Sequence, residues 1–323
     1  MKKILLLDPT VGSDNVGDNI IMECVEKELD FLLEDNFLYR LPTHVPSFHS
    51  YAVWRNSLAV QNYASCDYKF VGGSNLLVKN MLTHYPQWNV NLFNYHPLKG
   101  CVLVGVGAGA GEKTNWYTRT LYRKMLNQDY YHSVRDERSR EFVESLGLKA
   151  LNTGCVTRWG LTPEFCQEIP VDKADNVVFT LTGKNVPDSR DQKLIDVLRA
   201  NYRNVAFWIQ GDKDERYFKM FRNTDGIEII PPSKAAYEKV LARENLEYVG
   251  TRLHGGIYAL RHKKRALIIS IDERADGISR DTGLITLQKD HVDALEQVIS
   301  GRIDTKLNLP FDNIRKWKNQ FEG

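Results

Sequence analysis

The stretch "GTRLHGG" at residues 250–256 sets a guanidinium and an imidazole one residue apart beside paired glycines. Arg252 can present a planar fork of N–H donors to a carboxylate or phosphate. His254 is of the one residue type whose side chain ordinarily titrates near neutrality, which suits proton transfer. The preceding "LEYVG" reads as a buried strand, "GIYALRH" as a helix and "ALIISI" as the next strand. Both residues therefore fall on a strand-to-helix turn, at the sheet edge where open α/β proteins bind ligands and where a helix start attracts anions. The duller reading is a structural histidine in a tight turn. The run "RHKKR" at 261–265 reads as cations complementing a helix C-terminus.

Other turns carry similar signals. "GSDNVGDN" (12–19) follows the first apolar run, with a helix expected to begin near Asn19. Asn15, Gly17 and Asp18 there allow either an N-capped turn, with Asp18 or Asn15 as the cap, or backbone approach to an anion. It matches neither GxGxxG nor a Walker loop. "VGGSN" (71–75), with Gly72, Gly73 and Ser74, and "GVGAGAG" (105–111), with Gly107, are further glycine turns on the same predicted edge. "SVRDERS" (133–139) places Arg135 and Asp136 just past a strand. They form either an ion pair capping the next helix or a second guanidinium fork for an anion.

Several classes of chemistry find no support. There is no HExxH, no G-x-S-x-G elbow and no pair of spaced His/Cys ligands, so no metal site is expected. A formal net charge of +2, and aromatics that do not interleave with a basic stripe, argue against nucleic acid as a partner. Five scattered cysteines with no CxxC pair suit a reducing, cytoplasmic setting. "MKKILLLDPT" stops being apolar at Asp8 and reads as a first strand rather than a signal peptide, and no run is long enough to span a membrane.

The elements that would hold these turns alternate regularly. "KILLLD", "DYKFVGG", "CVLVGVGAG", "YYHSVRD" and "ALNTG" are strands with amphipathic helices between them. After a Pro-containing stretch at 155–173 the pattern restarts with "NVVFTLTG", "NVAFWIQGD" and "GIEIIP", and closes on the helices "VDALEQVIS" and "IRKWKNQFE". Such alternation predicts an α/β fold of parallel sheets with helices on both faces. Two series predict two Rossmann-like domains facing across a cleft, over residues 1–165 and 166–323, with the C-terminal helix packing back toward the first.

Together "NVGDNII", "VGGSNLL", "GVGAG", "SVRDERSREFVESLGL" and "GTRLHGGIYAL" followed by "ALIISID" resemble the polysaccharide pyruvyl transferase family. The resemblance implies a GT-B-like fold with the acceptor on the first domain and the donor on the second. It implies transfer of the pyruvyl unit of phosphoenolpyruvate to two hydroxyls of a sugar, in a cell-surface glycan or its lipid-linked precursor, forming a ketal. Arg135, Arg252, Leu253 and His254 would contact the donor, with His254 the acid and Asp18, ahead of Asp136, the base for the sugar hydroxyl. Asn15, Gly17, Gly72, Gly73, Ser74 and Gly107 would line the cleft. No cofactor is implied beyond phosphoenolpyruvate as donor substrate, and a lipid-linked acceptor would bring the protein to the inner face of a membrane.

Three positions depart from the family pattern: Ser74 in place of a third glycine, Gly154-Cys155 in place of Gly-Asp, and Asp272-Glu273-Arg274 where a lysine is common. Two alternatives therefore stand beside the main reading. One is a GT-B glycosyltransferase using a nucleotide sugar, with Asp272 or Glu273 on the ribose. The other is a non-catalytic glycan-binding relative.

Overall fold

The computed structural model describes residues 1–83, 87–109, 113–271 and 282–322. The chain divides into two compact units, one of Met1–Ser13, Ile21–Trp159 and Pro310–Gly323, the other of Asp14–Ile20 and Gly160–Leu309. Along the chain the change from one unit to the other falls at Trp159–Gly160. Residues 14–20 and the last helix also each belong to the unit that a simple division by chain order would not give them.

In the first unit a parallel sheet runs in the order β2-β1-β3-β4, with β1 Lys3–Asp8, β2 Phe37–Pro42, β3 Tyr68–Gly72 and β4 Val102–Val104. A parallel pair, β5 His132–Val134 and β6 Ala150–Asn152, is joined to it by side chains as well as backbone. Leu103 N–H donates to Nδ1 of His132 (3.2 Å), and Gly105 N–H donates to Oγ of Ser133 (2.8 Å). Ala108 N–H donates to Oγ of Ser139 (2.8 Å). These three side chains are fully buried because they stand in for ladder acceptors, and a buried N–H without one would be costly.

The C-terminal helix, Phe311–Asn319, closes the opposite face of this sheet. Trp317 lies 5.7 Å from Trp159 and 6.2 Å from Phe70, ring centre to ring centre, and Asn313 donates to the carbonyl of Asn152 (2.9 Å). Its apolar face and the buried face of Val16–Glu28 meet one cluster built on Ile4, Leu6 and Phe70.

The second unit holds a six-stranded, wholly parallel sheet in the order β12-β11-β10-β7-β8-β9. Its strands are β7 Asn176–Thr180, β8 Asn204–Trp208, β9 Glu228–Ile230, β10 Leu246–Gly250, β11 Ala266–Ser270 and β12 Thr286–Gln288. The central strands β7, β10 and β11 are buried almost throughout and mostly apolar, and their one charged side chain, Glu247, is paired with Arg265. On one face Phe179, Phe207 and Phe218 cluster, with Phe207 and Phe218 stacked at 4.3 Å; on the other Trp208 stacks on Tyr237 at 3.8 Å.

Two strands carry no sequence signal of their own. β2 and β12 are edge strands with largely exposed or half-buried residues: the apolar start of β2, Phe37-Leu38-Tyr39, is broken by Arg40, and β12 is three residues long. The helix expected over "ERYFKMFRN" is short, Asp214–Phe218.

His132 sets a pH dependence. Its Nε2–H donates to the carbonyl of Asn127 (2.9 Å) while Nδ1 accepts from Leu103, so the ring is neutral. Burial pushes its pKa down from 6.5 to about 4. The unfolded chain then binds more protons than the fold between these values, so stability falls as pH drops from 6.5 toward 4. The loss is about 3 kcal/mol. Urea unfolding across that range should show the slope, and His132→Gln should be less stable at pH 7 but flatter toward acid. Equal slopes in both proteins would assign the acid sensitivity to other groups.

Candidate active site

The carboxyl edge of the second sheet is organised around a buried carboxylate. Asp214, wholly inaccessible to solvent, begins the short helix after β8. It accepts hydrogen bonds from the backbone N–H of Gly183 (2.8 Å), Gln210 (3.2 Å) and Gly211 (2.8 Å). Arg252 lays its fork on the same group, with Nε on Oδ2 at 3.2 Å and Nη2 on Oδ1. A buried carboxylate persists only when its lone pairs are satisfied and its charge is met. Asp214 meets both conditions and in return fixes the guanidinium plane, with Nη1 as the nitrogen not turned toward it.

The peptide at Arg252 is held as firmly as its side chain. Arg252 N–H donates to Oγ1 of Thr180 (3.2 Å), the Thr180 and Tyr248 hydroxyls bond each other (2.6 Å), and the Tyr248 hydroxyl donates to the carbonyl of Arg252 (2.8 Å). This closed ring keeps Arg252 extended, at φ −93° and ψ 105°, immediately before the helix Leu253–Arg261. Burial raises the Tyr248 phenol pKa well out of reach, so the ring stays intact at physiological pH.

Leu253 and His254 are the first two residues of that helix and both are half-buried. They lie where backbone N–H groups point outward along the helix axis and favour an anion.

The glycines of this motif are explained by packing. A Cβ at Gly250 would lie 2.5 Å from Oγ1 of Thr180, and one at Gly256 2.5 Å from the Ile268 side chain. One at Gly255 would lie 2.9 Å from Oε1 of Gln210. The helix start rides directly on β10 and β11, and the Tyr237 hydroxyl ties it down by donating to the Gly255 carbonyl (2.9 Å).

The "NVGDN" turn joins this assembly through β8. Asn15 forms an antiparallel bridge with Gly211, Val16 N–H donates to the Gln210 carbonyl (2.9 Å), and Gln210 Nε2 donates to Oδ1 of Asn15 (3.0 Å). The helix begins at Val16, earlier than expected, and Asn15 is its cap, with Oδ1 accepting from Gly17 N–H (3.0 Å). Asp18 is thus not the cap but a first-turn residue, and it is buried. Gly17 is needed because a Cβ there would lie 2.9 Å from Nε2 of Gln210.

In the first unit, Arg135 is mostly buried and lies across Gly107, where a Cβ would sit 2.2 Å from its Nε. Its Nη2 donates to Oδ1 of Asn75 (3.1 Å) and its Nε pairs with Asp136 (3.2 Å). Asp136 is the N-cap of the helix Glu137–Ser145, accepting from Ser139 N–H (2.8 Å) and its hydroxyl (2.6 Å). The capping pair therefore exists. It also orients the guanidinium over the glycine turn.

Gly72 and Gly73 are packing glycines, since Cβ atoms there would meet Met22 and Ile21 at 2.3 and 2.4 Å. Ser74 holds φ +71°, a left-handed conformation that favours glycine, and its carbonyl accepts from Gly107 N–H (2.8 Å). Cys155 is buried beside the Thr157 hydroxyl (3.1 Å). Asp272, Glu273 and Arg274 lie outside the described residues, as do Ala110 and Gly111 of the second glycine turn.

Asp214 and Gln210 were not singled out from the sequence. The available signal was "WIQGDKDERYF", a buried strand running into Gln-Gly-Asp and an acidic helix start.

No protein of curated function matches the chain at the level of sequence. Among solved structures, a UDP-GlcNAc 2-epimerase of Methanocaldococcus jannaschii, in complex with UDP-GlcNAc and UDP, is 11% identical over 99% of each chain with a TM-score of 0.53. S. aureus MnaA with UDP is 11% identical over all of this chain and 96% of its own, with a TM-score of 0.56. A UDP-GlcNAc 2-epimerase of Neisseria meningitidis bound to UDP-GlcNAc is 12% identical over 99% of this chain and 98% of its own, at 0.51. These likenesses show the fold, a GT-B-like α/β architecture of parallel sheets. The family model for polysaccharide pyruvyl transferase matches residues 15–273, from the Asn15 cap past the Arg252 fork, and the chain belongs to that family.

Proposed function

We propose that the protein transfers the pyruvyl group of phosphoenolpyruvate to a pair of sugar hydroxyls in a cell-surface polysaccharide or its lipid-linked precursor, forming a ketal and releasing phosphate. The observation that carries this reading is the Arg252 fork, locked by Asp214 at the start of the Leu253–Arg261 helix within the family match. The donor carries a carboxylate and a phosphate on a short carbon skeleton. Desolvating it demands an oriented guanidinium and N–H donors together.

In the proposed reaction His254 gives a proton to the donor's methylene carbon, which becomes a methyl group and leaves C2 cationic. One sugar hydroxyl bonds to C2 and loses its proton to a base, for which Asp18 is the proposed group. The C2–O bond to phosphate then breaks, phosphate departs with the bonding electrons, and the second hydroxyl closes the ring as its proton is released. Atoms balance as phosphoenolpyruvate plus diol giving ketal plus phosphate. The work asked of the protein is orientation and proton transfer.

Phosphoenolpyruvate should raise the melting temperature, because a ligand that binds only the fold stabilises it, whereas UDP-GlcNAc should not. Arg252→Lys keeps the charge but loses the fork, so the donor-dependent shift should shrink and the donor KM rise about tenfold or more. A shift from UDP-GlcNAc alone would replace this reading with a nucleotide-sugar transferase. His254→Gln keeps a hydrogen-bond donor that cannot titrate. It should preserve the thermal shift while phosphate release falls by roughly 10²–10⁴-fold. Near-normal kcat in that variant would reduce His254 to a phosphate contact.

The family resemblance also implies a donor contact for Arg135, and Arg135→Ala tests it separately. Donor affinity should fall by about 2–5 kcal/mol with the melting temperature of the unliganded protein nearly unchanged. Unfolding with normal affinity in the remaining folded fraction would make Arg135 purely a partner of the Asp136 cap.

A further inference from the structure

We propose that the second unit carries a separate site, at the amino edge of its sheet, for a sugar bearing a carboxylate or phosphate. A cavity of about 440 Å³ opens there, lined by the first residues of four adjacent strands, among them Asn176, Asn204 and Glu228. That volume suits one or two sugar rings. Three arginines, Arg199, Arg203 and Arg243, face it against the single carboxylate of Glu228.

Glu228 is already neutralised. Arg243 grips it with both terminal nitrogens, at 2.6 and 2.7 Å, and holds its pKa below the ordinary value. Among the described residues, Arg199 and Arg203 form no ion pair, so the cavity keeps an excess of positive charge. Arg199 stands in the last turn of the helix Ser189–Asn201, where any cation complements the dipole. The dipole explains its sign but not why Arg203, from the loop before β8, and Arg243 share the cavity. Gly226, at φ +78°, takes the left-handed conformation that favours glycine, and a Cβ there would stand in ordinary contact, 3.7 Å from Nη1 of Arg199.

The polar part of the lining is fixed. Asn204 Nδ2 donates to Oδ1 of Asn176 (2.7 Å), and Asn176 Nδ2 to the Asn245 carbonyl (2.8 Å). Oriented amides beside guanidinium groups suit hydroxyls next to an anion, as on an acidic or phosphorylated sugar. At 3.2–3.4 Å per strand residue, this edge lies about 15 Å from the carboxyl edge where Arg252 sits. A ligand here is therefore not the donor, and the site stands without the pyruvyl-transfer reading. Its natural occupant is a charged residue of a glycan chain.

The test is calorimetric titration of the full chain with glucuronate, glucose 6-phosphate, inorganic phosphate and glucose. One or both sugar anions should bind saturably, weaken with added salt, and bind at least about tenfold more tightly than neutral glucose. Which one binds better tells carboxylate from phosphate. The double variant Arg199→Gln/Arg203→Gln should lower that affinity about tenfold or more with an unchanged melting temperature, while Arg252→Lys, which leaves Asp214 a cation, keeps it within about twofold. No saturable binding of either anion overturns the proposal. So does binding that survives the double variant but weakens about tenfold or more in a folded Arg252→Lys protein, which would put the anion at the other edge. Inorganic phosphate binding as tightly as both sugar anions overturns the sugar specificity.

Discussion

The carboxylate of Asp214 is the constraint on which the carboxyl edge of the second unit's sheet depends. Sealed from solvent, it is tolerable only with every lone pair used, and the fold supplies three backbone N–H groups and one guanidinium. Those donors come from three separate parts of the chain. Gly183 comes from the loop after β7, Gln210 and Gly211 from the end of β8, and Arg252 from the end of β10. One buried charge thereby sets the spacing of three loops and the plane of the arginine proposed to receive the donor. Truncating one partner of such a pair typically costs 3–5 kcal/mol, because the other is left buried and unmatched.

The same edge shows how glycines shape a candidate site through packing. Gly250, Gly255 and Gly256 have no room for a side chain because β7, β11 and Gln210 already occupy the space. Close packing draws the helix start down onto the sheet, which brings its N–H groups to the edge. In the first unit Gly107 does the same for the Arg135 guanidinium, and Gly72 and Gly73 admit Met22 and Ile21. Ser74 is the exception, a residue with a Cβ held at φ +71° where the family pattern has glycine. Such a conformation costs of order 1 kcal/mol or more for a non-glycine residue, and its carbonyl bond to Gly107 helps to hold it.

Polar residues in or beside a candidate motif can be purely architectural. His132, Ser133 and Ser139 lie in or beside the "SVRDERS" motif, and all three accept backbone N–H bonds where the ladder between β4 and β5 is incomplete. Asp136, second choice as a base, is committed to capping. Arg135 remains as the residue of that motif with a guanidinium directed at a glycine turn.

Local periodicity was enough to establish the parallel α/β class, because a strand buried on both faces must be a short apolar run and an amphipathic helix must repeat at its own period. It placed Arg135, Arg252 and His254 on turns after strands for the same reason. It passed over β2 and β12, whose exposed edge positions demand no apolar run. Only the tertiary structure decided that Asn15 bonds Gln210 and is counted with the second unit, that Asp214 holds Arg252, and that the glycines serve packing. Each of these is a contact between residues distant in the chain. A buried polar group declares its partner through geometry, and no pattern of neighbouring residue types carries that information.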